Sequence, residues 1–263
     1  MKVSYILILL LVLSTGCARS IPESEFPVRL VTVGGTIYNF RIFVPKDKSS
    51  EKLPVMLYLH GSNRRGSDNR SQLEDLYENI NGFPQNWQFI VVVPQCSENT
   101  FWAGPMMEQA LAALDQTVNE FGADPDRIYI AGYSMGGFGV WRTAITHPDK
   151  FAALVAVAGG VEPIGTPSAE EESLLSPQAA AAASSPDTYR AYAEALKKLP
   201  VWVVHGSDDE SIPVDASRKL VSALKAAGDP DVNYVELQGV GHGSVVQAFS
   251  DPNLFQWLAK QHR

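Results

Sequence analysis

Five short, nearly unbroken apolar runs constrain this chain more than any other feature. They are "LPVMLYLHG", "WQFIVVVPQ", "DRIYIAG", "FAALVAVAGG" and "PVWVVHG", and a sixth strand-like run, "VNYVELQG", follows them. Runs of this length without polar alternation fit strands buried on both faces. Helical spacing fills the gaps between them. Residues 104–121 place Met107, Leu111, Leu114, Val118 and Phe121 on one side, and a second helix is expected over about 135–146. "PVDASRKLVSALKAAG" starts with proline and ends with glycine, as helices do, and "LFQWLAKQH" reads as a last helix. Strands alternating with helices give βα units and a mostly parallel sheet. Ahead of them, "VRLVTVGGTIYNFRIFVP" reads as a hairpin turning at Gly34-Gly35. The expectation is an α/β fold: an eight-stranded, mostly parallel sheet with an antiparallel N-terminal hairpin and helices on both faces.

Charge and the N-terminus narrow the setting. The net charge is −8, and no cluster of Lys and Arg offsets it, which argues against a nucleic-acid partner. The opening "MKVSYILILLLVLSTGCARS" has one early lysine and an apolar core over 5–13, too short to cross about 30 Å of hydrocarbon as a helix. Residues 1–16 read as an export signal. "STGC" resembles the lipobox of bacterial lipoproteins, with Cys17 as the lipidated residue and Ser14 where leucine is usual. Plain cleavage near Ala18 is the alternative. Residues 17–27 then form a tether and 28–263 the folded domain. The expected location is the cell envelope on the periplasmic side, or outside the cell, with membrane contact only through a lipid on Cys17. A lipidated Cys17 leaves Cys96 without a disulfide partner, and Cys96 reads as a small buried side chain. Residues 162–190, rich in Ala, Ser, Pro and Glu, interrupt the rhythm; their composition favours a disordered surface loop over an insertion near the site.

The stretch "IYIAGYSMGGFGVW" carries the chemistry. Gly132-Tyr133-Ser134-Met135-Gly136 lies between a strand and a helix, the setting of a nucleophile elbow. A serine needs a base to take its proton. His60 and His205 end strands, His147 ends a helix and His262 sits in the tail. His242, in "GVGHGS" after the last strand, alone follows the chain order Ser, acid, His. The acid is expected in "HGSDDESIPV", where spacing does not choose among Asp208, Asp209 and Glu210, and where capping of the next helix competes. An oxyanion hole needs two N–H donors: the backbone of Met135, and that of Ser62 in the loop after "MLYLHG". Trp102 and Tyr133 are candidate pocket walls, with plain packing as the alternative. Arg64 and Arg65 are candidates for binding an anionic substrate group, with surface pairing to Asp68 and Glu74 as the alternative.

Six ordered blocks, "YLHGSNRRGSDN", "VVVPQCSENTFW", "DPDRIYIAGYSMGGFGVW", "HPDKFAALVAVAGG", "PVWVVHGSDDESIPV" and "GVGHGS", resemble the α/β-hydrolase superfamily. More narrowly they resemble bacterial exported carboxylesterases of the predicted-peptidase and phospholipase/carboxylesterase type, near the polyhydroxybutyrate depolymerase-like and feruloyl esterases. The resemblance covers 28–262. It selects Asp209, the third residue after the His-Gly pair and four before Pro213. It implies no metal and no organic cofactor, a small-molecule or polysaccharide-linked ester as substrate, and an acyl-enzyme on Ser134 with His242 as base. A serine peptidase on the same fold and a non-catalytic binding protein are the competing readings; no large gating domain is evident, which favours small esters. Gly243, where the family often has Asp, and the length of 162–190 depart from the pattern and put substrate selectivity in question.

Overall fold

A computed structural model describes residues 23–46, 52–162 and 168–263. The expected signal (1–16), Cys17 and the start of the tether lie outside the described residues. Eight strands form one sheet: β1 (Val28–Val33), β2 (Thr36–Phe43), β3 (Val55–Leu59), β4 (Ile90–Pro94), β5 (Ile128–Tyr133), β6 (Ala153–Val157), β7 (Val201–Gly206) and β8 (Val232–Leu237). Their spatial order is β1-β2-β4-β3-β5-β6-β7-β8. β1 pairs with β2, and β2 with β4, antiparallel; the remaining pairs are parallel. The expected sheet and its hairpin are therefore present.

The helices are α1 (Glu74–Gly82), α2 (Gly104–Phe121), α3 (Met135–Thr146), α4 (Ala169–Ser173), α5 (Pro177–Ala183), α6 (Thr188–Leu196), α7 (Asp215–Ala226), α8 (Val245–Ser250) and α9 (Pro252–Leu258). Side-chain alternation along β3 shows why its run is apolar throughout. Val55, Leu57 and Leu59 enter the core shared with α2, α3, α6 and α7, while Met56 and Tyr58 enter the core under α1, α8 and α9. A strand coated on both faces has no position for a polar residue. The crossover at β5 sets the site: Gly132 registers with Leu59 of β3 and with Ala156 of β6, so β5 is central and its C-terminal end opens onto loops from both neighbours. Ligands on open α/β sheets bind at such strand ends.

The expected disordered loop at 162–190 is corrected over its described part, 168–190. Ser168 and Glu171 form a reciprocal capping box at the start of α4, Ser176 caps α5 with Pro177 at its first position, and Asp187 caps α6. Composition hid this. Alanine is the strongest helix former, and three capped starts turn a low-complexity stretch into short helices. α5 then buries Ala179 and Ala182, and its capping Ser176 bonds Thr146 of α3 at 2.6 Å. Cys96 is buried and free, its thiol pushed up to about 11 by burial.

Candidate active site

The strand β5 ends at Tyr133 and α3 begins at Met135, so Ser134 alone makes the turn. Its backbone has φ 55° and ψ −118°, outside the regions an ordinary residue prefers. Two bonds hold it there: Ser134 N–H donates to Val157 O at 2.9 Å, and Phe138 N–H donates to Ser134 O at 3.2 Å. The flanking glycines are required by contact. A Cβ on Gly132 would lie 2.4 Å from Gly136 O, and one on Gly136 would lie 1.8 Å from Leu59 O. Strand and helix touch through bare backbone, which pushes the serine outward between them.

Ser134 Oγ lies 2.9 Å from His242 Nε2, and His242 Nδ1 lies 2.8 Å from Asp209 Oδ2. Of the three acids in the β7–α7 loop, Asp209 is the buried one; the exposed Asp208 carboxylate accepts from the neighbouring Ser207 hydroxyl, and Glu210 is exposed. Capping and histidine binding turn out to be compatible, because Asp209 Oδ1 accepts the N–H groups of Ser211 and Ile212 at 2.9 Å each while Oδ2 serves His242. Burial opposes the charge on Asp209. The Ile212 N–H, His242 and the Ser211 N–H outweigh it, and the carboxyl sits below its usual range. An ionised Asp209 only accepts, so neutral His242 carries its proton on Nδ1 and presents Nε2 as acceptor to the Ser134 hydroxyl.

His205 belongs to the same cluster, which the sequence did not reveal. Its Nε2 faces Ile212 O at 2.9 Å and Asp209 Oδ2 at 3.2 Å, and its Nδ1 accepts from Ser217 Oγ at 2.7 Å. Burial lowers its affinity for a second proton. Tyr133 supports the histidine loop: its hydroxyl donates to His242 O at 3.0 Å, and its ring centroid is 5.2 Å from the imidazole.

A cavity of about 540 Å³ opens in front of Ser134, with Phe101, Phe138, Leu175 and Ile212 among its apolar walls. Ser62 and Met135 line it beside the serine. Ser62 opens a turn of 3-10 helix directly after β3, and Met135 is the first residue of α3, where helix N–H groups have no intrahelical partner. Among the described residues, neither N–H donates to a partner outside its own helical turn.

Three expected pocket residues sit elsewhere. Trp102 is fully buried behind the cavity; its indole N–H donates to His60 O at 2.9 Å, which turns the ring into the core, and the preceding Phe101 faces the cavity instead. Tyr133 packs beneath His242. Arg64 is held by Asp75 at 2.9 Å and Glu74 at 2.5 Å, away from the cavity; of its two expected surface partners it takes Glu74, while Asp68 accepts from Gln95 and the N–H groups of Arg70 and Ser71. Among the described residues, no group of three or more His, Cys, Asp or Glu is arranged to hold a metal ion.

His60 gives the fold an acid-sensitive point. It is fully buried, donates Nδ1–H to Gly61 O at 2.7 Å and accepts Cys96 N–H on Nε2 at 3.0 Å. Burial lowers its pKa from 6.5 to about 4. The unfolded chain takes up this proton first, so the stabilisation is complete above about 6.5 and is lost as pH falls toward about 4. The loss is on the order of 3 kcal/mol. Melting temperatures measured from pH 7 to pH 4 should fall less steeply for His60→Gln than for the parent; equal slopes would assign the acid lability to other groups.

Residues 99–261 match the model of the prolyl oligopeptidase family. The chain belongs to that family. Its relatives include an uncharacterized secreted protein of Arthroderma benhamiae, 30% identical over 75% of this chain and 22% of the relative. Dipeptidyl-peptidase 5 of Porphyromonas gingivalis is 29% identical over 49% of this chain and 20% of its own length. The probable carboxylic ester hydrolase LipM of Mycobacterium tuberculosis is 24% identical over 79% of this chain and 54% of its own length. The chain thus spans between about a fifth and about half of these curated relatives. Among solved structures, a thermostable esterase superposes with a TM-score of 0.74 and 27% identity, covering 91% of this chain and 64% of that one. The α/β-hydrolase fold expected from the motifs is the fold of this prolyl oligopeptidase family member.

Proposed function

We propose that this protein is a serine hydrolase that cleaves carboxylic esters, with Ser134 as nucleophile, His242 as general base and then acid, and Asp209 as the group that orients and steadies the imidazole. The observation that carries the reading is the continuous chain from Ser134 Oγ to His242 Nε2, and from His242 Nδ1 to Asp209 Oδ2, at the wall of the cavity. Attack by Ser134 on the ester carbonyl passes its proton to Nε2. Charge building on the carbonyl oxygen is met by the N–H groups of Met135 and Ser62, each worth about 10²–10³ in turnover in sites of this kind. The imidazolium forms against an ionised Asp209 and returns its proton to the departing alcohol. Water, activated by the same His242, then releases the acid from Ser134.

An ester is preferred to an amide as the substrate class because one of the relatives above, LipM, is named for ester hydrolysis and the solved esterase superposes over nearly the whole chain. The family name and dipeptidyl-peptidase 5 support the second reading, a serine peptidase, and fold alone does not decide between the two. Assaying the mature chain on matched short-chain esters, acetylated and feruloylated polysaccharides, and aminoacyl amides separates them. Ester turnover well above amide turnover is expected. Amide turnover equal to ester turnover would favour the peptidase, and turnover of neither would leave a binding role.

The N-terminal sequence supports export and a lipid on Cys17, and no helix among the described residues is long and apolar enough to cross a membrane. Replacing Cys17→Ser should move the protein out of the membrane fraction; retention there would contradict the lipid anchor.

A further inference from the structure

The cavity in front of Ser134 combines apolar walls with charged groups: two arginines, Arg65 and Arg142, and two glutamates, Glu171 and Glu172, line it. Met135, Phe138 and Arg142 recur at intervals of three and four, so one stripe of α3 faces the cavity. The guanidinium of Arg142 lies 5.5 Å from the centroid of Phe101 and 5.9 Å from that of Phe138. It makes no ion pair and no side-chain hydrogen bond among the described residues, although the side chain is largely buried. Of the other two arginines near the site, Arg64 is paired with acids outside the cavity, and Arg65 lines the cavity with its guanidinium on backbone carbonyls. Arg64 holds Glu74 and Asp75, and Arg65 donates to Ser62 O and Thr100 O at 3.0 Å each.

A second polar group converges on the same place. Tyr192, on α6, lines the cavity, and its phenol makes no hydrogen bond among the described residues. The two side chains are near enough to bias one another's ionisation. Of the two acids that line the cavity, Glu171 accepts Ser168 N–H on Oε2 at 2.8 Å in the capping box of α4, and among the described residues neither it nor Glu172 makes an ion pair with Arg142. An arginine keeps its charge, and burying that charge without a partner is costly. Five guanidinium donors and a phenol without partners, walled by aromatic rings, form half of a recognition site for a planar anion.

The side of the ester that enters this cavity follows from the proton's route. His242 must reach the leaving alcohol, and it does not line the cavity, whereas Ser62, Ser134 and Met135 do. The cavity therefore receives the acyl part. Arg142 lies eight residues beyond Ser134, roughly 12 Å along the helix axis, and its side chain leans back toward the serine. A group that meets it stands several bonds beyond the ester carbonyl.

We propose that Arg142, together with Tyr192, reads a carboxylate at the far end of the substrate's acyl chain, so that the enzyme prefers half-esters of dicarboxylic acids to neutral acyl esters of the same length. The proposal rests on the esterase reading above and names its substrate class. The test compares kcat/KM for the 4-nitrophenyl half-esters of glutaric, adipic and suberic acid with that for the matched neutral acyl esters. The wild type should favour at least one half-ester over its neutral match. Arg142→Met should reduce that ratio about 10- to 100-fold, the range expected for a charge-assisted contact, and Arg142→Lys should restore part of it. Circular dichroism and melting of both variants separate selectivity from misfolding; removal of an unpaired charge should leave Arg142→Met melting no lower than the parent. A wild-type ratio at or below one, or a ratio that Arg142→Met leaves in place, would overturn the proposal while the esterase reading stands. A binding arm covers the opposite case. If no ester is cleaved, adipate raising the melting temperature of the wild type more than hexanoate does, and not doing so for Arg142→Met, keeps the anion site and removes the esterase. Equal effects of the two acids would remove both.

Discussion

Replacing Ser134→Ala is expected to reduce ester turnover by about 10⁴- to 10⁶-fold while leaving the fold intact. The size follows from how the parts cooperate. In the proposed mechanism His242 and Asp209 have a task only when a hydroxyl is present to be activated, so loss of the serine would silence all three and leave what the cavity and the two proposed backbone donors supply. The backbone at this position is held by Ser134 N–H to Val157 O and by Phe138 N–H to Ser134 O, bonds that alanine keeps. The variant should therefore melt close to the parent and retain its circular dichroism spectrum. A folded Ser134→Ala protein with more than about a hundredth of parental turnover would point to a different nucleophile.

The largest stability effect is expected at Gly136. An alanine Cβ there would lie 1.8 Å from the Leu59 carbonyl oxygen, far inside any non-bonded contact. The oxygen belongs to backbone and the Cβ position is fixed by it, so no side-chain rotation relieves the clash. Only separation of α3 from β3 does, and that also pulls on the Leu59–Gly132 register at the centre of the sheet. A cost of about 4 kcal/mol or more follows, enough to unfold many domains of ordinary stability. Gly243 is the control, because a Cβ added there meets nothing within 4 Å; Gly243→Ala should stay within about 0.5 kcal/mol of the parent. Urea unfolding of the three proteins measures the contrast, and a Gly136→Ala chain with a native midpoint would show that the elbow is looser than its contacts imply.

What could be read in the sequence was what depends on local pattern. A strand coated on both faces must be apolar throughout, so β3 to β7 announced themselves, and a turn needing bare backbone on both sides of a serine announced itself through Gly132 and Gly136. Less was legible where a side chain's direction depends on a distant partner. Trp102 and Phe101 are adjacent aromatics, and the carbonyl of His60, just past the end of β3, decides which of them turns inward. His205 read as packing, and its contact with Asp209 depends on how the β7–α7 loop curls back. Residues 168–190 read as featureless because their composition is plain, while their caps are single residues at exact offsets. Arg142 carried a weak signal, a charged residue two turns along the helix behind the nucleophile on the face of Met135 and Phe138. Helical spacing could have placed it toward the site had that face been known.

The central claim is a covalent one, and a single experiment addresses it. Mixing the protein rapidly with a 4-nitrophenyl ester, quenching in acid and mapping the digested chain by mass spectrometry should give a burst of about one equivalent of nitrophenol and the acyl mass on the peptide containing Ser134. His242→Ala should lose both. Hydrolysis proceeding with no burst and with Ser134 unmodified, or an acyl group found only on another residue, would contradict the account.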